Sequence, residues 1–216
     1  MTAIFAFQGN HFITMCGDGR VWDVSKNTLI HENYQKIHLL SLKNLELAVG
    51  TAGHVKVFEP CIQEMKDRLW GQNLPVYQIL RIVDEITLKH IRLTIKKEQD
   101  GQNFALTFLE RFFDYPFSSL YLNVQYLIGG KAEGETFLYR YDYRNTERTV
   151  EEIPTGAASY IGTNRETMKP TLPGLSQKLH ACHSPACCEE ILLQSIQQLG
   201  KAEKTIGGTI KTMTIV

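Results

Sequence analysis

Residues 2–19, TAIFAFQGNHFITMCGDG, decide how this chain folds. Ala3 to Phe7 is apolar throughout, Gln8-Gly9-Asn10-His11 carries turn chemistry, and Phe12 to Cys16 is apolar again. Two apolar runs around a Gly-Asn turn predict a β-hairpin. Chain ends fray unless something ties them down. A core that begins at residue 3 pins Thr2 beside it, which raises the question of whether Thr2 is placed there for its chemistry.

Outward from the hairpin, residues 20–34 read as a polar excursion with Trp22 and Tyr34. Gln35–Leu39 and Leu45–Val49 read as strands joined by a turn at Lys43-Asn44. Val57, Ile62, Met65 and Leu69 have helical spacing. After Pro75, so do Val76, Ile79, Leu80, Val83, Ile86, Leu88 and Ile91. Residues 95–118 fit either period. Strands return at Leu120–Ile128, ending in Gly129-Gly130, then at Thr136–Tyr143 after a turn at Glu133-Gly134, and at Ala157–Ile161. Helices are expected over Arg165–His180, delayed by Pro170 and Pro173, and from Pro185 to Leu199. A last strand, Thr209–Ile215, follows Gly207-Gly208. Strands apolar on both faces need cover on both sides. The expected fold is therefore α+β: a four-layer αββα sandwich of two packed antiparallel sheets flanked by helix pairs, one domain spanning residues 1–216.

Composition narrows the function. Of 216 residues, 43% are hydrophobic and 21% charged, and 23 basic residues balance 23 acidic ones. That is ordinary for a globular protein and gives no sign of nucleic-acid or membrane binding. No apolar run approaches the roughly 18 residues of a spanning helix. Met-Thr-Ala-Ile lacks the basic start and small-residue cleavage site of a signal peptide, so a cytoplasmic location is expected. The five cysteines, Cys16, Cys61, Cys182, Cys187 and Cys188, then suit reduced thiols better than a disulfide framework. His180, Cys182, His183, Cys187 and Cys188 cluster, but not with the paired spacing of a zinc site. Ser184-Pro185 reads as a helix start. No metal and no cofactor are expected.

An N-terminal threonine can be a complete catalytic unit, with its hydroxyl as nucleophile and its own α-amine as base. That amine titrates near pH 8 (roughly), close to working pH, and it exists only once Met1 has been removed. A rigid strand at residue 2 would hold attack geometry. Such a site also needs a nearby cation and a backbone N–H for the developing oxyanion. Lys36 is out of character mid-strand in Tyr-Gln-Lys-Ile-His-Leu, Asp18 could fix it by a charge-assisted hydrogen bond, and Gly50 closes a strand. Each has an ordinary alternative: Asp18-Gly19 as a turn, Lys36 as an edge-strand charge, and Gly50 with Gly53 as strand end and helix start.

Taken in order, these pieces resemble the β-type subunits of the proteasome family, including its simpler bacterial homologues. The matching segments are Thr2-Ala-Ile, Gly17-Asp18-Gly19-Arg20-Val21, Gln35-Lys36-Ile37 and Ala48-Val49-Gly50-Thr-Ala-Gly53. Leu127-Ile128-Gly129-Gly130, Ile161-Gly162-Thr163 and Gly207-Gly208 continue the likeness along nearly the whole chain. The resemblance implies Thr2 as nucleophile, Lys36 lowering its pKa, Asp18 orienting Lys36, and the Gly50 amide as oxyanion donor. Arg20, Thr163 and Glu203 would support the site. It also implies a peptide or unfolded-protein substrate, a ring-like homo-oligomer and a separate ATP-dependent unfoldase. The chain departs from the family pattern in having Thr163 where a serine is usual, Glu203 for an aspartate, Ile206 for a serine, and His54 for an acidic residue. The loss at Ile206 removes a hydroxyl that normally serves the N-terminal amine. A non-catalytic assembly protein and a small-substrate amidase on the same scaffold remain as competing readings.

Overall fold

The computed structural model describes residues 2–23, 27–109, 122–162, 168–182 and 184–216. The hairpin forms as β1 (Ala3–Gln8) and β2 (Ile13–Gly17), with Gly9 N donating to Phe12 O at 2.9 Å across the turn. All six residues of β1 are buried because the strand is paired on both sides. Its other neighbour is β10 (Ala158–Gly162), and β11 (Lys211–Ile215) closes the sheet against β2, all antiparallel, in the order β10-β1-β2-β11. β1 is thus an inner strand of this sheet.

Within the 20–34 excursion, β3 (Val21–Asp23) and β4 (Thr28–His31) form a two-stranded ribbon. The larger sheet runs in chain order, through β5 (Ile37–Ser41), β6 (Glu46–Gly53), β7 (Asn123–Ala132), β8 (Glu135–Arg144) and β9 (Glu147–Glu152). Four α-helices stand among the described residues: α1 (Val55–Leu69), α2 (Val76–Leu109), α3 (Leu172–His180) and α4 (Pro185–Ala202). The fold is α+β. Among the described residues no helix is long and apolar enough to cross a membrane.

Strand alternation explains the uninterrupted apolar run in β1. Ile4 and Ala6 join Ile13, Met15, Ala48, Leu127 and Leu138 in a cluster shared with the larger sheet. Ala3, Phe5 and Phe7 point the other way, against Leu179, Cys188, Leu192 and Ile196 of α3 and α4. A third cluster packs Val57, Cys61, Met65, Ile79, Val83 and Ile86 of α1 and α2 on Leu47, Val49, Tyr126 and Ile128. Each fully buried Ile or Phe contributes about 1.5–3 kcal/mol, so β1 alone anchors its end of the chain strongly.

Several boundaries differ from the sequence reading. β6 continues past Gly50 to Gly53, and β7 runs through Gly129 and Gly130. These glycines do not stop strands; they let other chain segments come close. A Cβ on Gly129 would lie 2.8 Å from Ile13 Cγ2 of the facing sheet. α2 reaches Leu109, well into the stretch that sequence left open; residues 110–121 lie outside the described ones. β9 was not anticipated because its residues, ERTVEE, are all exposed and carry no apolar signal. Of the expected Arg165–His180 helix, residues 163–167 lie outside the described ones; Lys169–Thr171 form a 3-10 turn, and α3 begins at Leu172 with Pro173 in its first turn. Ser184 caps α4 as expected, accepting from Cys187 N at 3.3 Å.

The expectation of five reduced cysteines is corrected: Cys182 and Cys187 form a disulfide across the α3–α4 turn, while Cys16, Cys61 and Cys188 are free and buried. The turn brings the two thiols together whatever the redox argument from composition. Alkylation of the unfolded, unreduced protein should therefore label three cysteines, and all five after reduction, read by intact mass. Five labels without reductant would show the bridge absent.

Candidate functional site

Asp18 gathers the site. It follows β2, and its own N–H donates to Ala3 O at 3.1 Å. Its Oδ1 accepts from Ala3 N at 2.7 Å and from Lys36 Nζ at 2.9 Å. Its Oδ2 accepts from Arg20 N at 3.2 Å and Gly207 N at 3.3 Å. Asp18 is 1% exposed and Lys36 3%. One carboxylate thus joins the start of β1, the loop after β2, the entry to β5 and the loop before β11.

Lys36 sits one residue before β5, not mid-strand as expected, because the ladder begins at Ile37 paired with Gly50. Its backbone is nonetheless tied to β6, with Lys36 O accepting from Thr51 N at 2.8 Å. Its Nζ also donates to Arg20 O at 2.5 Å. Burial pulls the Lys36 pKa below its ordinary value, and the charge and hydrogen bond of Asp18 oppose that shift. Asp18 thus favours the ammonium form in an environment that otherwise disfavours it.

Thr2 immediately precedes β1 and is 8% exposed. Ala3 is paired with Gly162, whose φ of +128° suits glycine, and a Cβ there would lie 1.9 Å from Thr2 O. Gly50 lies within β6, paired with Ile37 on one side and Leu127 on the other, and a Cβ on it would reach within 3.2 Å of Ile4 Cγ2. The structure therefore places Thr2, Asp18, Lys36 and Gly50 around the first residues of β1.

The supporting residues differ in what they do. Arg20 clamps the loop before β11: Nη1 donates to Lys204 O at 2.5 Å and Ile206 O at 3.3 Å, and Nη2 donates to Glu32 Oε1 at 3.1 Å. Glu203 ends α4, and its Oε1 accepts from Thr205 N at 3.2 Å and Thr205 Oγ1 at 2.8 Å. The Asp18 and Glu203 charges both help burial raise the Tyr160 phenol well above its ordinary range. Ile206, standing where the resemblance leads one to expect a serine, is 2% exposed within the apolar cluster under α4. Met1 and Thr163 lie outside the described residues.

Sequence reasoning missed the Gly207 amide as a ligand of Asp18. In the sequence, Gly207-Gly208 reads only as the prelude to the last strand. The available signal was the doublet itself: φ is +141° at Gly207 and +74° at Gly208. Among the described residues no group of three or more His, Cys, Asp or Glu could hold a metal ion. Two cavities, of about 430 Å³ beneath α3 and α4 and about 510 Å³ beside the β1–β2 turn, are lined by none of these site residues.

No family model matches the chain, and no curated protein does. Solved structures do. One described as a helical assembly of the Anbu complex from Pseudomonas aeruginosa superposes with a TM-score of 0.71 at 16% identity, covering 99% of this chain and 80% of that one. Anbu, described as an ancestral beta-subunit, from Yersinia bercovieri gives 0.66 at 16% identity, over 99% and 81%. An Anbu (Gly-1) mutant from Hyphomicrobium sp. strain MC1 gives 0.68 at 14% identity, over 98% and 80%. These matches correct the expected membership among proteasome β-type subunits: the neighbours are Anbu proteins, proteasome-like but a distinct family. At these identities the likeness establishes the fold.

Proposed function

We propose that the chain is a threonine-type N-terminal nucleophile hydrolase that cleaves peptide bonds after Met1 is removed. The observation that carries this reading is the shared Asp18 oxygen, which receives both the Ala3 amide and the Lys36 ammonium. That oxygen ties a buried cation to the backbone of the residue next to the proposed nucleophile. In this reading the Thr2 hydroxyl attacks a substrate carbonyl and gives its proton to the Thr2 α-amine. The Lys36 charge favours the deprotonated oxygen, and the Gly50 N–H holds the oxyanion. The tetrahedral species collapses to an ester on Thr2, the amine returns its proton to the leaving nitrogen, and water then hydrolyses the ester. With Met1 attached, the Thr2 nitrogen is an amide and cannot act as base, so processing is a switch. Thr163 and Glu203 are proposed, as the resemblance implies, to support the amine.

The same reading takes residues 1–216 as one domain, a four-layer αββα sandwich, supported by the three apolar clusters. It takes the working form as a homo-oligomer. A head-to-tail interface gives a ring if its rotation closes and a helix if it does not; the Pseudomonas structure is described as helical, and electron microscopy of this chain distinguishes the two. Peptides or unfolded chains are the proposed substrates. A second reading, a non-catalytic assembly protein, draws on one observation: Ile206 packs into the core and supplies no hydroxyl.

The test is intact mass before and after a threonine-directed electrophile. The expected result is a mass lacking one methionine and a single adduct that Thr2→Ala loses together with hydrolysis. A full-length mass with no adduct favours the non-catalytic reading.

The ion pair also makes an asymmetric prediction for stability. Asp18→Ala removes the carboxylate that balances the buried Lys36 ammonium, and should cost about 3–5 kcal/mol. Lys36→Met leaves Asp18 with three backbone donors, from Ala3, Arg20 and Gly207, and should cost less, about 1–3 kcal/mol. Urea unfolding of both variants measures the difference. Equal costs would mean that the backbone donors do not compensate the carboxylate.

A further inference from the structure

Gln125 and Asp142 face each other across the β7–β8 ladder, on the side of the larger sheet that meets the smaller one. Gln125 is 6% exposed and Asp142 5%. Leu127, two residues along on the same face, belongs to the apolar layer between the sheets. An amide and a carboxylate are costly in such a layer unless each is partnered. Here the partnership crosses from one sheet to the other. Gln125 Oε1 accepts from Gly162 N at 2.9 Å, and Gln125 Nε2 donates to Asp142 Oδ2 at 3.4 Å. Gly162 is the last residue of β10 and lies so close to Thr2 O that no side chain fits.

We infer that Gln125, oriented by Asp142, is a positioning residue that fixes the end of β10 against Thr2. The argument is geometric. An apolar layer can slide by fractions of an ångström at little cost, whereas a buried hydrogen bond from one side chain to one backbone amide fixes a height. Asp142 holds the amide group with Oε1 aimed at Gly162, because Nε2 is the only end that can donate to a carboxylate. The inference rests on the proposed threonine chemistry and adds to it a support from the opposite sheet. Thr2 is thereby held by Asp18 through Ala3 on one side and by Gly162 on the other.

Two substitutions separate positioning from mere stability. Gln125→Met keeps length and removes both hydrogen bonds. Amide exchange at Gly162, followed by NMR, should accelerate by at least tenfold. A misplacement of up to about 1 Å at a reacting group costs as much as 100-fold, so kcat and the rate of Thr2 adduct formation should fall about 10- to 100-fold with KM within about twofold. Gln125→Glu retains an acceptor for Gly162 but sets two carboxyls together, and such a pair keeps one proton. Its activity should return towards the unsubstituted level at the acidic end of the profile and fall as that proton leaves, adding an ionisation that the unsubstituted protein lacks. A Gln125→Met variant with normal kcat and adduct rate, measured on a protein whose unsubstituted form is active, overturns the role of Gln125 alone. So does a Gln125→Glu profile with no added ionisation. An unsubstituted protein that lacks Met1 yet shows no Thr2-dependent adduct or hydrolysis overturns the threonine reading, and the role of Gln125 with it.

Discussion

A single buried carboxylate constrains this structure. Asp18 receives two backbone donors and an ammonium from segments far apart in sequence, plus the N–H of Arg20 nearby. A buried pair of this kind does little for net stability, because desolvation offsets most of the attraction. What it does supply is position. The start of β1, the entry to β5 and the loop before β11 cannot move independently while all three address the same two oxygens. The Arg20 guanidinium extends the arrangement by gripping the Lys204 and Ile206 carbonyls and the Glu32 carboxylate. The region around Thr2 is therefore rigid for an electrostatic reason, on top of the apolar burial of β1.

How much of this could be read from sequence followed physical rules. The β1–β2 hairpin, α1, the start of α2 and the Ser184 cap were legible, because apolar period, turn residues and capping residues are local signals. β9 was not, since an exposed strand of Glu, Arg, Thr and Val has no apolar side to betray it. Gly50 and Gly129-Gly130 misled as strand ends, because a glycine that admits a neighbouring sheet looks the same in sequence as one that ends a strand. The disulfide was missed because composition argued for reduced thiols while proximity is a property of the folded turn. At the site, Asp18 and Lys36 could be named by their odd placement. That both bind one oxygen, with the Gly207 amide on the other, is tertiary information. The family expectation erred in a similar way: the order of Thr, Asp, Lys and Gly carries the fold's pattern, and it does not separate proteasome subunits from their Anbu relatives.

The residues of the site do not support a catalytic reading equally. Gly50 has a sufficient explanation in packing. Its missing Cβ makes room for Ile4 of the facing sheet, as Gly129 makes room for Ile13. The two glycines are matched to two isoleucines across the same layer, so a protein with no chemistry at all would keep them. Lys36 also ties the entry of β5 to Asp18, but it does so at the cost of a buried charge. An apolar residue of similar length would fill its place beside β5 without the cost of burying a charge. Its ammonium is pulled down by burial and held up by Asp18, next to the first residues of a strand whose own packing needs no cation. A charge kept at that expense, in that one place, is what a reaction at Thr2 would require. The weight of the functional argument therefore rests on the Lys36–Asp18 pair and not on Gly50.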